Sequence, residues 1–256
     1  MAPLSVTIIT RNESAHIEAC LASVDWADER LVVDCGSTDD TVSLAERAGA
    51  RVVINPWPGY AAQKNFAAAQ ARHDWILSVD ADERVTPDLA REIQHLLDTT
   101  PAASGYRVPR LTWHLGRWIR TTDWYPDSQL RLYDRRRGRW KPRRVHESVD
   151  VDGTPGQLTA ELQHYAYQDI AHHLETMNRY TTLAAADLFD AGRRVGAIDV
   201  IGHPLAAFLR NYLLRRGIAD GVPGLIISSM NAGYVFLKLA KVWELGRVER
   251  QRVGGA

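Results

Sequence analysis

Asp80 and Asp82 are the residues of this 256-residue chain best placed to do chemistry. They close the run Ile76-Leu77-Ser78-Val79-Asp80-Ala81-Asp82-Glu83, where an apolar stretch ends abruptly in two acids one residue apart. Such a run reads as a buried strand that delivers carboxylates to the edge of a sheet. Carboxylates fixed there can hold a hard divalent cation, whose remaining positions are filled by substrate phosphates. Asp-X-Asp alone is a weak signal, because it recurs by chance and most surface acids are merely solvated. The strands around it strengthen the reading.

Residues 5–10 are predicted as a first strand, followed by Arg11-Asn12-Glu13 and then Ile17, Leu21 and Val24 at near-helical spacing. Residues 31–34 form a second strand that runs into the small polar turn Cys35-Gly36-Ser37-Thr38-Asp39-Asp40-Thr41. Asp39 or a neighbour can cap the helix carrying Val42, Ala45 and Ala48. A third strand is expected over residues 51–54 and a fourth over 75–79, with a helix across 61–71 between them. Strands alternating with helices of this length make a parallel sheet, which binds ligands at the carboxyl ends of its strands. Thr10, Asp34 and Asp80 all fall at such ends, so one crevice can collect them.

Thr10-Arg11-Asn12-Glu13, the segment from Asp34 to Thr41, and Asp80-Ala81-Asp82-Glu83 together resemble the nucleotide-sugar-binding half of family 2 glycosyltransferases with the GT-A fold. Gln63-Lys64-Asn65, Leu130-Arg131-Leu132, Val145-His146-Glu147 and Asp220-Gly221-Val222-Pro223-Gly224 resemble the branch that includes lipopolysaccharide core glucosyltransferases of the WaaE/KdtX type. The resemblance runs from about Leu4 to about Trp243, and Cys35 stands where many relatives carry Ser or Asn.

The resemblance implies an α/β fold of the GT-A kind: a Rossmann-like, mostly parallel central sheet flanked by helices, with a C-terminal helical extension. The expected division is a glycosyltransferase domain over residues 1–167 and a helical region over 168–256, in contact with a membrane surface or another copy. Within the first, residues 1–104 are the donor half and 105–167 the acceptor side. The implied reaction is inverting transfer of a sugar, such as glucose, from a nucleotide diphosphate sugar, a UDP-sugar first of all. The acceptor is a hydroxyl of an anionic cell-envelope glycolipid such as lipopolysaccharide inner core, and Mn²⁺ or Mg²⁺ assists.

Residue by residue, the resemblance makes Thr10, Asn12, Glu13, Asp34, Ser37, Lys64 and Asp80 donor contacts, with Asp34 accepting from the base or ribose. Asp82, with Asp80 and His164, is expected to ligate the cation. Glu147 is the expected base that deprotonates the acceptor hydroxyl, with Asp127 the runner-up, and Trp124, Arg131 and His146 face the acceptor. A surface acid paired with an arginine, and a core histidine, are the plainer readings of Glu147 and His164.

Formal net charge is zero, but the charges are segregated. Residues 1–104 carry 8 basic and 16 acidic side chains, residues 105–144 carry 12 and 3, and residues 193–256 carry 10 and 4. An acidic first part suits a cation site, and basic later segments suit an anionic acceptor or membrane surface. Arg135-Arg136-Arg137 and Arg143-Arg144 suit a solvated loop equally well. No nucleic-acid-reading motif accompanies the charge. Two cysteines make no disulfide scaffold, and Cys20 and Cys35 read as free thiols of a reducing cytosol. The N-terminus shows no secretory signal.

In the second half, Thr86-Pro87-Asp88 starts a helix whose buried stripe is Leu89, Ile93, Leu96 and Leu97. Residues 105–109 and 128–133 read as strands, and residues 158–167 alternate as another that presents His164. Trp113, Trp118, Trp124 and Tyr125 interleave with His114, Arg117 and Arg120, which suits sheet packing or a sugar acceptor bearing anionic groups. A long helix is expected from 169 to about 191, then an amphipathic segment with Leu205, Phe208, Leu209, Tyr212 and Leu213. Residues 222–237 carry no charge, which is short for a bilayer span and suits an interfacial helix pair with basic edges or a structural cap.

Three rivals are distinguishable. A nucleotidyltransferase needs a glycine-rich basic loop after the first strand, and Arg11-Asn12-Glu13-Ser14 has no glycine. A polyprenyl-phosphate sugar synthase differs in placing the sugar on a lipid phosphate. A non-catalytic nucleotide-sugar-binding module leaves Glu147 without a part.

Overall fold

The computed structural model describes residues 2–141 and 148–254. His146 and Glu147, the expected acceptor contact and base, lie outside the described residues, as do Arg143 and Arg144. The chain forms two compact units, one of residues 1–111 and 127–165 and the other of residues 112–126 and 166–256. The stretch 112–126, expected on the acceptor side of the sheet, thus belongs with the C-terminal helices.

In chain order the elements are β1 (Leu4–Thr10), α1 (Ile17–Ala22), β2 (Glu29–Asp34), α2 (Thr41–Arg47), β3 (Arg51–Ile54), α3 (Tyr60–Gln70), β4 (Trp75–Asp80), β5 (Glu83–Val85) and α4 (Pro87–Asp98). They continue with β6 (Gly105–His114), β7 (Arg117–Ile119), β8 (Asp127–Asp134), β9 (Gly138–Lys141), β10 (Ser148–Val151), β11 (Gly156–Gln157) and β12 (Leu162–His164). The helices α5 (Ile170–Asp190), α6 (Ala197–Leu209) and α7 (Gly221–Gly254) complete the chain.

The first unit is built on a sheet in the order β3-β2-β1-β4-β8-β6-β12-β5. Its β3-β2-β1-β4 half is parallel, and β8 joins β4 antiparallel. Alternation along β1 sends Leu4, Val6 and Ile8 into one core with Ile17, Cys20 and Leu21 of α1 and Leu89, Ile93 and Leu97 of α4. Leu31, Val33 and Ile76 belong to a second core with Ala61, Ala67 and Ala68 of α3. A sheet buried on both faces requires such near-continuous apolar strands. Thr86 caps α4 by accepting from the Leu89 amide at 3.2 Å, and Pro87 follows it. Cys20 and Cys35 are free thiols.

Two expectations change here. Residues 158–167 do not make one strand; β12 is three residues long and pairs antiparallel with β5, so His164 stands opposite Glu83. The Arg135–Arg137 turn is engaged within the fold: Arg135 and Arg136 pair with Asp74, Arg136 also with Asp134, and Arg137 with Asp152. Local acids therefore neutralise a turn that otherwise reads as an anion-binding patch.

In the second unit, residues 112–114 of β6 pair with β7, and α5, α6 and α7 pack together. The segment 222–237 is part of one 34-residue helix that continues through Lys238 and Lys241, well beyond the charge-free stretch. Pro223 falls in its first turn, where a missing N–H costs nothing. By length and composition the run Gly217–Glu249 is long and apolar enough to cross a membrane. The Asp220–Gly224 motif is a close-packed joint. Asp220 accepts from Thr121 Oγ1 at 2.5 Å and pairs with Arg117 at 2.8 Å, and a Cβ on Gly224 would lie 1.8 Å from the Gly217 carbonyl oxygen.

Candidate active site

The ends of β1 and β2 are tied together by short polar side chains. Asp34 is fully buried. It accepts from Thr10 Oγ1 at 3.0 Å, from the Gly36 and Ser37 amides at 2.8 Å each, and from the Ser37 hydroxyl. Gly36 turns the chain at φ +93°, a conformation glycine adopts without strain. Asn12, at φ +56°, donates its amide to Ser37 Oγ at 2.8 Å and accepts from the Thr38 amide at 2.8 Å. Asp39 accepts from Thr41 and from the Ser14 amide, while Thr41 Oγ1 accepts from the Glu13 amide at 2.7 Å. Those bonds hold the Asp39 carboxyl below the usual carboxylate range.

Asp34 therefore departs from its expected part. A carboxylate closed off from solvent and already accepting four bonds is the organiser of the loop; the groups it leaves accessible are those of Asn12, Glu13 and Ser37. Glu13 is half-buried, and burial followed by the charges of Asp82, Asp39 and Asp80 pushes its carboxyl up to about 7.

At the end of β4, Asp80 sits between two cations. Its Oδ1 lies 2.9 Å from Lys64 Nζ on α3, and its Oδ2 lies 2.7 Å from Arg131 Nη2 on β8. Burial pushes the Asp80 carboxyl up, but Arg131 and Lys64 outweigh it and hold the group well below the ordinary carboxylate range. Lys64 is itself buried and lies 4.4 Å from the centre of the Trp140 ring. Asn65 next to it exchanges two 2.9 Å bonds with the Trp140 backbone, which fixes α3 against β9.

Arg131, expected to face an acceptor, is 4 % exposed. Its guanidinium also bonds Glu83 at 2.6 Å, so it is a buried strut with no surface left for a ligand. Glu83, fully buried, further accepts from the Asp80 amide at 2.9 Å and from Arg110 at 3.3 Å. Breaking one partner out of such a buried network leaves an uncompensated charge, which costs more than the pair gains.

Asp127, the runner-up base, accepts from Arg110 Nε at 2.9 Å and Nη2 at 2.5 Å, and from Gln129 at 2.5 Å. Burial pushes its carboxyl up, but Arg110 outweighs this and holds it below its ordinary range. A carboxylate so held is a poor proton acceptor. Trp124, expected near an acceptor, lies in the second unit, where it packs against His114, Tyr167 and His173 and donates to Asn231 at 3.2 Å.

Asp82 and His164 meet. His164 Nε2 lies 3.3 Å from Asp82 Oδ2, and both side chains are partly exposed. The Tyr165 amide donates to the Asp82 carbonyl at 2.9 Å, so β12 is pinned to the acidic turn. Burial raises the Asp82 carboxyl and His164 outweighs it, lowering it below its ordinary range. Among the described residues no three His, Cys, Asp or Glu side chains are gathered tightly enough to hold a cation alone. Two are enough for a hard cation that takes its other positions from substrate phosphates and water. The donor set therefore fits such an ion.

A sequence profile described as "Glycosyl transferase family 2" matches residues 5–151, more than half of the chain. The chain belongs to glycosyl transferase family 2. It is an enzyme of the glycosyltransferase class, and its sheet is the GT-A arrangement expected of the family. The chain is similar over 94% of its length to "Lipopolysaccharide core biosynthesis glycosyltransferase LpsC" of Rhizobium meliloti (strain 1021), at 34% identity and covering 92% of that protein. It is also 32% identical to an uncharacterized glycosyltransferase of Rickettsia prowazekii (strain Madrid E), over 96% of this chain and 88% of that one. Among solved structures, glucosyl-3-phosphoglycerate synthase from Mycobacterium tuberculosis aligns at 28% identity over 43% of each chain with a TM-score of 0.38, too partial to transfer any residue.

The family's acidic signature thus has a scaffold that the sequence reading missed. Glu83 and Arg110 escaped it because a buried acid–base lattice leaves no spacing pattern. The available signal was that Glu83 and Val85 alternate as inward positions of a short strand.

Proposed function

We propose that this glycosyltransferase moves a sugar from a nucleoside diphosphate sugar, UDP-linked, to a hydroxyl of a cell-envelope glycolipid of the lipopolysaccharide core kind, with inversion. The observation that carries the reading is Asp80 clamped between Lys64 and Arg131, one residue from the Asp82–His164 pair, at the carboxyl end of a parallel strand. The name of the Rhizobium relative supports the acceptor class.

In this reading Asn12, Glu13 and Ser37 border the nucleoside, and Thr10 and Asp34 hold the loop that presents them. Lys64 and Asp80 face the ribose and phosphates. Asp82, with His164, holds Mn²⁺ or Mg²⁺, which supplies charge to the departing diphosphate when bound. Glu147 takes the proton of the acceptor hydroxyl, a part that Asp127 is poorly suited to while Arg110 binds it. Attack from the face opposite the leaving diphosphate inverts the anomeric centre without a covalent intermediate. The enzyme works as a peripheral protein at the cytoplasmic face of the inner membrane, with the helical region after about residue 168 against lipid or another copy.

Asp82→Ala tests the cation assignment. Isothermal titration with UDP and Mn²⁺ should show donor-product affinity lost in the variant and UDP binding no longer responsive to Mn²⁺. Wild-type affinity and Mn²⁺ dependence would remove Asp82 from the ligand set. Product analysis separates transfer to a sugar hydroxyl from transfer to a lipid phosphate.

A further inference from the structure

Helix α6 turns an apolar row outward. Ile198 and Ile201 are 87% and 70% exposed, and Leu205, Leu209 and Leu213 continue the row at four-residue steps. The opposite side of the same segment is buried through Ala207 and Asn211, and α6 packs on α7 there. The corner that follows repeats the pattern. Leu214 is 79% and Val222 68% exposed, with Ile218 exposed between them. The charge-free stretch of α7 is only partly covered: Ile227 and Ser228 are fully buried, while Leu225 and Phe236 are exposed. A soluble protein seldom leaves so long an apolar row in water.

Basic charge predominates on this surface, since Asp199 at the start of α6 is held by Arg193 and His203 and Asp220 is buried against Arg117. Residues 200–219 contain Arg210, Arg215 and Arg216 and no acid. Arg210 and Arg215 share a single partner, Asp123, and Arg216 is exposed at a left-handed φ of +59°. A two-fold pairing of copies would set this mainly basic surface against itself. A bilayer with anionic headgroups instead offers hydrocarbon to the leucines and phosphates to the arginines.

We propose that α6 and the corner over residues 210–222 are the surface by which this protein sits in an anionic bilayer. The apolar row enters the headgroup–acyl boundary, and Arg215 and Arg216 lie at phosphate level. This rests on the proposed reading only in that a lipid-borne acceptor gives such a surface its use.

The test is flotation of the full chain with phosphatidylglycerol–phosphatidylethanolamine vesicles against phosphatidylcholine vesicles, across a salt series. Wild type should float with the anionic vesicles at low salt and be released by high salt. Ile201→Glu with Leu205→Glu should weaken partitioning by about tenfold or more, and so should Arg215→Glu with Arg216→Glu at low salt. Leu214→Cys in a Cys35→Ser background, carrying an environment-sensitive dye, should shift to the blue on anionic vesicles. Wild type that stays at the bottom, variants that float unchanged, or a dye that does not shift would each overturn the proposal. So would a dimer in light scattering that the same substitutions dissociate without any vesicle binding. UDP titration runs alongside: lost UDP binding with flotation intact counts against the glycosyl-transfer reading alone, and the reverse counts against this surface alone.

Discussion

Burial and the charges of Asp82, Asp39 and Asp80 set Glu13 apart from the other carboxylates of the site, raising it to about 7 where Asp80, Asp82 and Asp127 are held low. Its folded pKa lies above its unfolded one, so the folded chain keeps a proton that the unfolded chain gives up between about pH 4.5 and 7. Stability from this group is therefore lost as pH rises through that window. Glu13→Gln should match wild type in thermal stability near pH 4 and exceed it above pH 7, in paired melting curves. A constant difference across pH would mean that Glu13 does not titrate abnormally. Glu147 is a different case. Glu147→Gln keeps the shape of the side chain but cannot take a proton, so kcat should fall by roughly 10²-fold or more while UDP affinity stays near wild type. Near-normal turnover would move the base elsewhere, and Asp127→Asn is then the next variant to assay. At this scale the sequence was legible where function leaves a spacing, as in Asp80-Ala81-Asp82. It misled where an arginine of suitable type, Arg131, proved to be spoken for by Asp80 and Glu83.

The parallel half of the sheet could be read almost residue by residue, because β1 to β4 are apolar runs closed by polar turns and both periodicity and caps point the same way. The β5–β12 pairing could not, since three-residue strands carry no periodic signal and depend on partners far along the chain. The C-terminal helices were legible as helices, but not their joints. Gly217 and Gly224 meet backbone to backbone, which no hydropathy pattern reports. Gly224→Ala forces a methyl group onto the Gly217 carbonyl and should cost about 2–3 kcal/mol. That corresponds to a fall in melting temperature of roughly 5 °C or more. Differential scanning calorimetry checks it, and an unchanged melting temperature would mean that the joint opens without cost.

Across the whole molecule, acid should act first on the second unit. His173 is buried and stacks on Tyr167 at 4.1 Å, with His114 at 5.2 Å. Burial, then the neighbouring His114 and His172, lowers its imidazole to about 4. The unfolded chain takes up that proton near pH 6.5 and the folded chain does not. The contribution is therefore complete above 6.5 and disappears as pH falls toward 4. Wild type should lose thermal stability steadily across this range. His173→Phe, which keeps the ring and removes the proton site, should lose less. Equal slopes for the two proteins would sink the assignment.

The cross-ties between the loops after β1 and β2 bear on re-engineering donor choice. Asn12 is fastened to Ser37 and Thr38, Glu13 to Thr41, and Ser14 to Asp39. Each loop is the other's template, so neither segment 11–14 nor segment 35–41 is a portable cassette. A graft that imports one without the other inherits mismatched hydrogen-bond partners, and libraries aimed at a new nucleotide will yield folded members chiefly when both loops are varied as a single unit.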